Sequence, residues 1–397
     1  MSKTPKLRFP GFTDDWEQRT LGEVGEIVTG STPPTHDLTN YSDEGSPWIT
    51  PTDITSQTIF DSPRKISPKG ESISRMVPAG TILVTSIASI GKNTMLTVRG
   101  SFNQQINAVI PNKKNDSYFL LTISELWSRK MKSFASSGTM QIVNKSEFSK
   151  LQLQYPILEE QQKIGTFFQQ LDDLITLHQR KLSDVKKLKA GLLQKMFPKN
   201  GETVPEVRFP EFTNAWEQRK LGDLYKKNLE RNKDQFKADK TISIASMRFK
   251  PEGNGASESS LSTYKVLREG DIAFEGHKSK QFSFGRFVVN DIGNGIMSPR
   301  FTTLRPSQQI PIKFWKQYIN YEPIMKYPIV NSTKLGTMMN ELVMNDFLKQ
   351  TILVPSIAEQ EIIGSFFKQL DNLITLHQRK LEHLQQQKKA LLQQMFI

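Results

Sequence analysis

Apolar residues recur at spacings of four and three along two stretches of this chain. In the first, one row runs Ile164, Leu171, His178, Val185 and Leu192, beside Phe168, Ile175, Leu182, Lys189 and Met196. In the second, Ile363, Leu370, His377, Leu384 and Leu391 run beside Phe367, Ile374, Leu381, Lys388 and Met395. Five heptads with mostly apolar seams predict two long helices paired as a coiled coil. Pro156 and Pro355 suit the entry to each helix, and Glu159, Glu160, Glu359 and Glu361 suit the positive N-terminal ends. Lysines cluster late, at Lys186, Lys187 and Lys189 and again at Lys388 and Lys389. Each helix covers about 38 residues, so at roughly 1.5 Å per residue it is near 57 Å long.

Elsewhere the pattern is mixed. Short β-like runs such as TILVTSI (81–87), NAVIP (107–111), DIAFEG (271–276) and GRFVV (285–289) are punctuated by Gly, Pro and Asn. Helical stretches are expected at 117–133 and 311–327. The expected fold class is α+β: two similar mixed α/β bodies, 1–155 and 198–354, separated by two long antiparallel coiled-coil helices at 156–197 and 355–397.

The chain is written twice. PKLRFPGFTDDWEQRTLGEV (5–24) returns as PEVRFPEFTNAWEQRKLGDL (205–224) with 12 of 20 positions identical, and LDDLITLHQRKL (171–182) returns as LDNLITLHQRKL (370–381) with 11 of 12 identical. Between these blocks, 25–150 and 225–350 match only at landmarks. Pro78-Ala79-Gly80-Thr81-Ile82 has a counterpart in Arg268-Glu269-Gly270-Asp271-Ile272, SFNQQINAVIPNK (101–113) in IMSPRFTTLRPSQ (296–308), and Gly138-Thr139-Met140 in Gly336-Thr337-Met338. The bodies are therefore expected to share one fold under different loop surfaces. The first helix leaves body one and enters body two, whereas the second has no further body to reach. It buries its seam most simply by running back antiparallel, with a pseudo-two-fold axis across the strut. If His178 faces His377, facing residue numbers sum to 555, pairing Ile164 with Leu391, Leu171 with Leu384, Val185 with Leu370 and Leu192 with Ile363.

Charge narrows the partners. The net charge is +13, spread as +3 over 1–155, +3 over 156–200, +6 over 201–354 and +1 over 355–397. That distribution favours an extended polyanion such as nucleic acid over a disordered basic tail. There are no cysteines, which excludes disulfides and thiolate zinc sites and suits a reducing cytoplasm. No apolar run approaches the roughly 20 residues that span a bilayer, and the start, MSKTPKLRFPGF, has no apolar signal core. A soluble cytoplasmic protein is expected.

Candidate chemistry points to binding. Asn103, Gln104 and Gln105 suit base contacts, because side-chain amides pair bidentately with adenine in the major groove. The matching turn of the second body carries Ser298, Pro299 and Arg300, and arginine suits guanine. The paired Gly-Thr-Met landmarks add Thr139 and Thr337 as candidate DNA contacts. Lys92, Lys278, Lys280, Arg286 and Lys334 suit phosphates, which position a protein without reading sequence. Trp16 and Trp216, each opening a Trp-Glu-Gln-Arg string, read as anchors holding each body's start near the strut. Ser89-Ile90-Gly91-Lys92-Asn93 lacks the upstream Gly and following Ser/Thr of a nucleotide-binding loop. Thr32-Pro33-Pro34-Thr35 fails as the base-holding motif of an amino-methyltransferase. The histidines, His36, His178, His277, His377 and His383, have no metal-ligand spacing, and no catalytic grouping stands out.

The tails P-x-L-E-E-Q-Q-K-I…LDDLITLHQRKL and P-S-I-A-E-Q-E-I-I…LDNLITLHQRKL, in the order body–helix–body–helix, resemble a type I restriction–modification specificity subunit. The body openings WEQRTLGEV and WEQRKLGDL, the string Ile27-Val28-Thr29-Gly30-Ser31-Thr32-Pro33-Pro34-Thr35 and the VPAGTI string (77–82) are similar to that family too. The resemblance implies two target-recognition domains, each reading one half of a bipartite, asymmetric DNA site, with the helices setting the gap. It implies docking of two modification (methyltransferase) subunits that carry S-adenosylmethionine and methylate adenine. Two ATP-driven restriction subunits, with Mg2+, would complete the nuclease. This chain would bind no cofactor and supply specificity without catalysis, in a bacterial or archaeal cytoplasm. Two other readings stay open on residues alone: a self-sufficient DNA-modifying enzyme, which would bind S-adenosylmethionine by itself, and a coiled-coil scaffold without sequence-dependent DNA affinity.

Overall fold

The structure, a computed structural model, describes residues 4–87, 89–136, 142–199, 201–233, 235–280, 282–337 and 339–396. It divides into two compact units, Met1–Arg180 with Gln378–Ile397, and Lys181–His377. The heptad stretches form helices Leu158–Met196 and Ile357–Met395, 39 residues each. The unit boundary cuts through both, so each unit holds half of each helix beside one mixed body.

In unit 1 the helix halves run antiparallel. Phe168 meets Phe396 at 5.9 Å between ring centroids, and further along, Asp172 accepts an ion pair from Lys388 at 2.7 Å. As one residue number rises, its partner's falls. Ile164, Leu171 and Leu384 are buried and Leu391 is half-buried in the same cluster. Unit 2 repeats the arrangement with Phe197 against Phe367 at 6.0 Å and Lys189 bonded to Asp371 at 2.6 Å. There Ile363 and Leu370 are buried, with Val185 and Leu192 half-buried against them. His178 and His377 are half-buried on the same rows. Lys189 and Lys388, written into the apolar companion row, are thus explained: each spans the seam to a carboxylate of the facing helix.

Unit 1's body is built on a five-stranded sheet in the order Gly25–Thr29, Ile106–Pro111, Thr81–Thr85, Asn93–Leu96 and Thr58–Ile59. All five residues of Thr81–Thr85 are buried, as a continuous run of β-branched and aliphatic residues requires of a central strand. Helix Ser117–Ser136 packs on this sheet, and a three-stranded sheet, Lys65–Ile66, Tyr41–Ile49 and Ser101–Phe102, lies beside it in the chain. Unit 2 keeps the frame with two four-stranded sheets. One runs Tyr225–Lys227, Thr302–Pro306, Ile272–Glu275, Arg286–Val289; the other runs Arg248–Lys250, Thr241–Ser243, Gly295–Met297, Lys265–Leu267. The correspondence is residue by residue in places: Gly25 pairs with Pro111, and Tyr225 with Pro306.

One expectation changes. The helix expected over 311–327 is two helices, Ile312–Tyr318 and Glu322–Val330. Pro323 has no N–H to offer a carbonyl one turn back, so it sits in the first turn of a new helix, where that donor is not needed. The first body has no proline there and carries a single 20-residue helix.

Both bodies are fastened to their long helices in one way. Glu17–Thr20 pairs antiparallel with Gln152–Tyr155, and Glu217–Lys220 with Thr351–Val354, so each Trp-Glu-Gln-Arg string forms a ribbon with the strand that leads into a long helix. Trp16 is 2% exposed, edge-on to Phe119 and Phe396; Trp216 is 3% exposed, against Phe197 and Phe314. Both act as anchors. Beneath them, Arg8 grips Glu160 through two bonds of 2.7 and 2.8 Å, and Arg208 grips Glu359 through two of 2.7 Å. These glutamates are almost fully buried, so their role goes beyond facing a helix dipole: each is one half of a bidentate arginine pair.

Candidate nucleic-acid interface

In unit 1 four turns converge at one end of the five-stranded sheet. Gly30 and Ser31 donate backbone hydrogen bonds to Ile106 and Phe102, Ser86 donates to Gln105, and Val143 donates to Ser86. The Asn107 amide, buried, donates to the Val143 carbonyl at 3.1 Å. The turn at 30–32, the 103–105 turn, the start of the 86–92 turn and residues 142–143 thus form one surface.

The candidate side chains on it have different fates. Gln104 is exposed, and its Oε1 accepts from the Thr32 hydroxyl at 2.5 Å. Gln105 is half-buried. Asn103 is only 9% exposed, and both ends of its amide are used inside the turn: Oδ1 accepts from the Gln105 N–H, and Nδ2 donates to Gln105 Oε1, each at 3.1 Å. Asn103 shapes the turn that presents Gln104, the usual use of an asparagine that closes on the backbone two residues ahead. Lys92 is exposed, but its side chain lines a cleft beside Glu125 and Arg129 of the body helix. Thr139 lies outside the described residues.

Unit 2 assembles a comparable end from other residues. The loop 276–285 and the hairpin Thr333–Lys334 with Glu341–Leu342 are tied together by Asn340, whose N–H donates to Gly276 at 2.8 Å and whose amide donates to Ser283 at 3.4 Å. This tie brings Lys278, Lys280, Lys334 and Thr337, all exposed, onto adjoining loops. Arg300 is exposed on the turn after Gly295–Met297, the counterpart of the 103–105 turn. Arg286 is half-buried and already engaged: it bonds Glu275 at 2.7 Å and the Ala245 carbonyl at 3.0 Å, and lies over the Phe282 ring. That geometry braces the loop carrying Lys278 and Lys280.

Sequence reading missed a charged network at the start of strand Ile272–Glu275, the strand end away from the loop 276–285. Arg305 bonds Asp271 at 2.8 Å and Glu230 at 2.7 Å, and Arg268 also clamps Glu230. The Arg268 bond holds the Glu230 carboxyl below the usual range, whereas burial raises that of Asp271 against the pull of Arg305. Nothing in the local pattern joins these four residues, because they come from three separate segments. Among the described residues no group of three or more His, Cys, Asp or Glu is placed to hold a metal, and no helix is long and apolar enough to cross a membrane.

Comparison with known proteins meets the same two-copy layout. The family model of the type I restriction modification DNA specificity domain matches residues 13–187 and again 213–386. The MjaIX type I restriction enzyme specificity subunit of Methanocaldococcus jannaschii is 26% identical over 95% of this chain and 92% of its own. The HindI specificity subunit of Haemophilus influenzae is 31% identical over 36% of this chain and 32% of its own. The crystal structure of a type I S subunit from M. genitalium shares the fold, with a TM-score of 0.66 at 15% identity over 99% of both chains. A chain from a structural study of type I complex assembly matches with a TM-score of 0.51 at 15% identity over 98% of both. With both copies matched and most of the chain covered, the protein belongs to the type I restriction–modification DNA specificity family, as a non-catalytic specificity subunit.

Proposed function

We propose that each unit reads one half of a bipartite, asymmetric DNA site, and that the paired helices set the spacer between the halves. The observation carrying this reading is a duplicated frame under two unlike loop ends. Ribbon, anchoring tryptophan, buried arginine–glutamate pair and seam ion pair occur twice with equivalent partners. The loops above them carry Gln104 and Gln105 in one unit and Lys278, Lys280, Arg300, Lys334 and Thr337 in the other. A frame kept twice suits two copies of one partner, and two different surfaces suit two different half-sites. The partner is a modification subunit docked on the outer faces of the helices, which carries S-adenosylmethionine and methylates adenine. Restriction subunits with ATP and Mg2+ complete a nuclease acting in a bacterial or archaeal cytoplasm. This chain contributes recognition and binds none of those cofactors.

The test is genome-wide adenine methylation in a methylation-free host expressing the chain with and without its cognate modification subunit. A bipartite motif present only with both proteins is the expected result. Methylation by this chain alone would return the enzyme reading, and none under either condition would favour a scaffold. Exchanging residues 25–150 for those of a relative is expected to change one half-site only. Inserting four residues, about one helical turn, into both long helices is expected to alter the spacer and leave the half-sites intact.

A further inference from the structure

Unit 1 contains a cleft of about 580 Å³ between the body and the antiparallel helix halves, reached by the far side of the 86–92 turn. Three cations enter it from three different elements: Lys92 from the turn before Asn93–Leu96, Arg129 from helix Ser117–Ser136, and Lys389 from the second long helix. All three residues are exposed, and none has an ion-pair partner among the described residues. A fourth cation, Lys388, is only 12% exposed and is held by Asp172 at 2.7 Å, and Asp172 also accepts from the Tyr118 hydroxyl at 3.1 Å. That carboxylate is therefore spent, leaving Glu125 as the one other acid on the lining. The amides of Gln179 and Gln385 add neutral hydrogen-bond donors on the helix side.

This cluster is not part of the duplicated frame. The long helices correspond at an offset of 199, so Lys388 has its twin in Lys189, which makes the same seam bridge to Asp371. Lys389 has Ala190 instead. The body helices correspond at an offset of 195, since Gly165 approaches the Phe119 backbone as Gly364 approaches that of Phe314. Arg129 then has Ile324. Seam chemistry is duplicated, whereas Arg129 and Lys389 have no basic counterpart at these offsets.

Resting on the half-site reading, we propose that this cleft binds the sugar–phosphate backbone of DNA adjoining the half-site read by unit 1. Unpaired cations strung over separate elements, with amide donors between them, match a polymer of regularly spaced phosphates. Such contacts anchor and orient the duplex without reading bases.

The test uses the complex of the full chain with its modification subunit and duplexes with and without the motif, titrated over a range of salt. The triple variant Lys92→Ala, Arg129→Ala, Lys389→Ala is compared with Arg129→Lys. The expected result for the triple variant is a salt-dependence slope shallower by about two to three, at roughly 0.9 per phosphate contact. Affinity falls by the same factor for both duplexes, the methylated motif is unchanged, and Arg129→Lys retains the slope. An unchanged slope with the motif still methylated would overturn this site and leave the half-site reading standing. A changed half-site would make these residues base readers, and weakened binding of the modification subunit would make the cleft a protein dock; either overturns the proposal. A wild-type complex without sequence preference would sink the half-site reading, and this site with it.

Discussion

Arg8 and Arg208 hold more of each unit together than their place in an unremarkable N-terminal string suggests. Glu160 has no exposed side-chain surface. Arg8→Ala would leave that carboxylate buried and uncompensated, a loss of about 3–5 kcal/mol by analogy with other broken buried pairs. Replacing both partners, Arg8→Met with Glu160→Leu, is expected to cost far less, since the desolvated charges leave together. Chemical denaturation of the two variants checks this, and equal losses would remove the pair from the argument. On the loop surface, Gln104 and Asn103 separate two roles that adjacent amides made indistinguishable. Gln104→Ala is expected to relax base preference in one half-site by about 1–3 kcal/mol while the fold stays intact. Asn103→Ala is expected to lower thermal stability and the definition of the same half-site together, because it dismantles the turn. Methylome mapping beside a melting curve distinguishes them.

At the scale of the element, the long helices have two unlike faces. The seam is buried or half-buried, yet Leu174 and Leu177 are 46% and 43% exposed, and their repeats Leu373 and Leu376 are 43% and 60% exposed. On the proposed function these are the apolar parts of the dock for the modification subunits. Leu174→Asp with Leu177→Asp is expected to weaken association of one modification subunit at least tenfold, with the chain's own melting unchanged; a sedimentation titration reads it. Glycines in the same helices make the opposite point about packing. A Cβ on Gly165 would lie 2.3 Å from Asp116 Oδ1 and 2.9 Å from the Phe119 nitrogen, and one on Gly364 would lie 2.5 Å from the Phe314 nitrogen. The body helix begins against each glycine, so alanine there must push the body off the long helix. Gly191, with nothing within 4 Å of its absent Cβ, is expected to gain up to about 1 kcal/mol as alanine. A melting comparison of Gly165→Ala with Gly191→Ala should give shifts of opposite sign.

At the scale of the whole molecule, the duplication makes the position of the chain ends arbitrary. The Val207 N–H donates to the Lys195 carbonyl at 2.9 Å, closing the native connection from the first long helix into the second body. The Leu7 N–H donates to the Gln394 carbonyl at 2.9 Å, the same bond made by the end of the second helix with a segment not joined to it. Phe396 packs on Trp16 as Phe197 packs on Trp216. A circular permutant, closed by a copy of residues 197–206 and opened between Gly201 and Glu202, is expected to fold and to specify the unchanged motif. Methylome mapping of a soluble permutant checks this; an altered motif would show that the covalent connection carries information beyond tethering.

Periodicity and self-similarity by themselves determined much of this protein. Heptads reported the long helices because burial of a seam acts at every turn, and the repeat reported the shared frame because equivalent positions face equivalent partners. The central strands Thr81–Thr85 and Ile272–Glu275 were legible for the same reason: a buried strand shows a continuous apolar run. What one sequence position cannot show is which distant group a polar side chain will meet. Glu160 read as a helix-end charge and Lys388 as a charge within the seam row, and Arg8, Asp172 and the Glu230–Asp271–Arg305 network drew no reading, until tertiary structure joined segments far apart in the chain. The same holds for the reading surface. Amides at 103–105 and lysines at 92, 278, 280 and 334 were visible as types, but only folding decided that Asn103 turns inward, that Arg286 is spent on Glu275, and that Lys92 faces a cleft. Local pattern specifies the solvent exposure of a segment; the assignment of partners to polar groups is a long-range property, and the tertiary fold alone decided it.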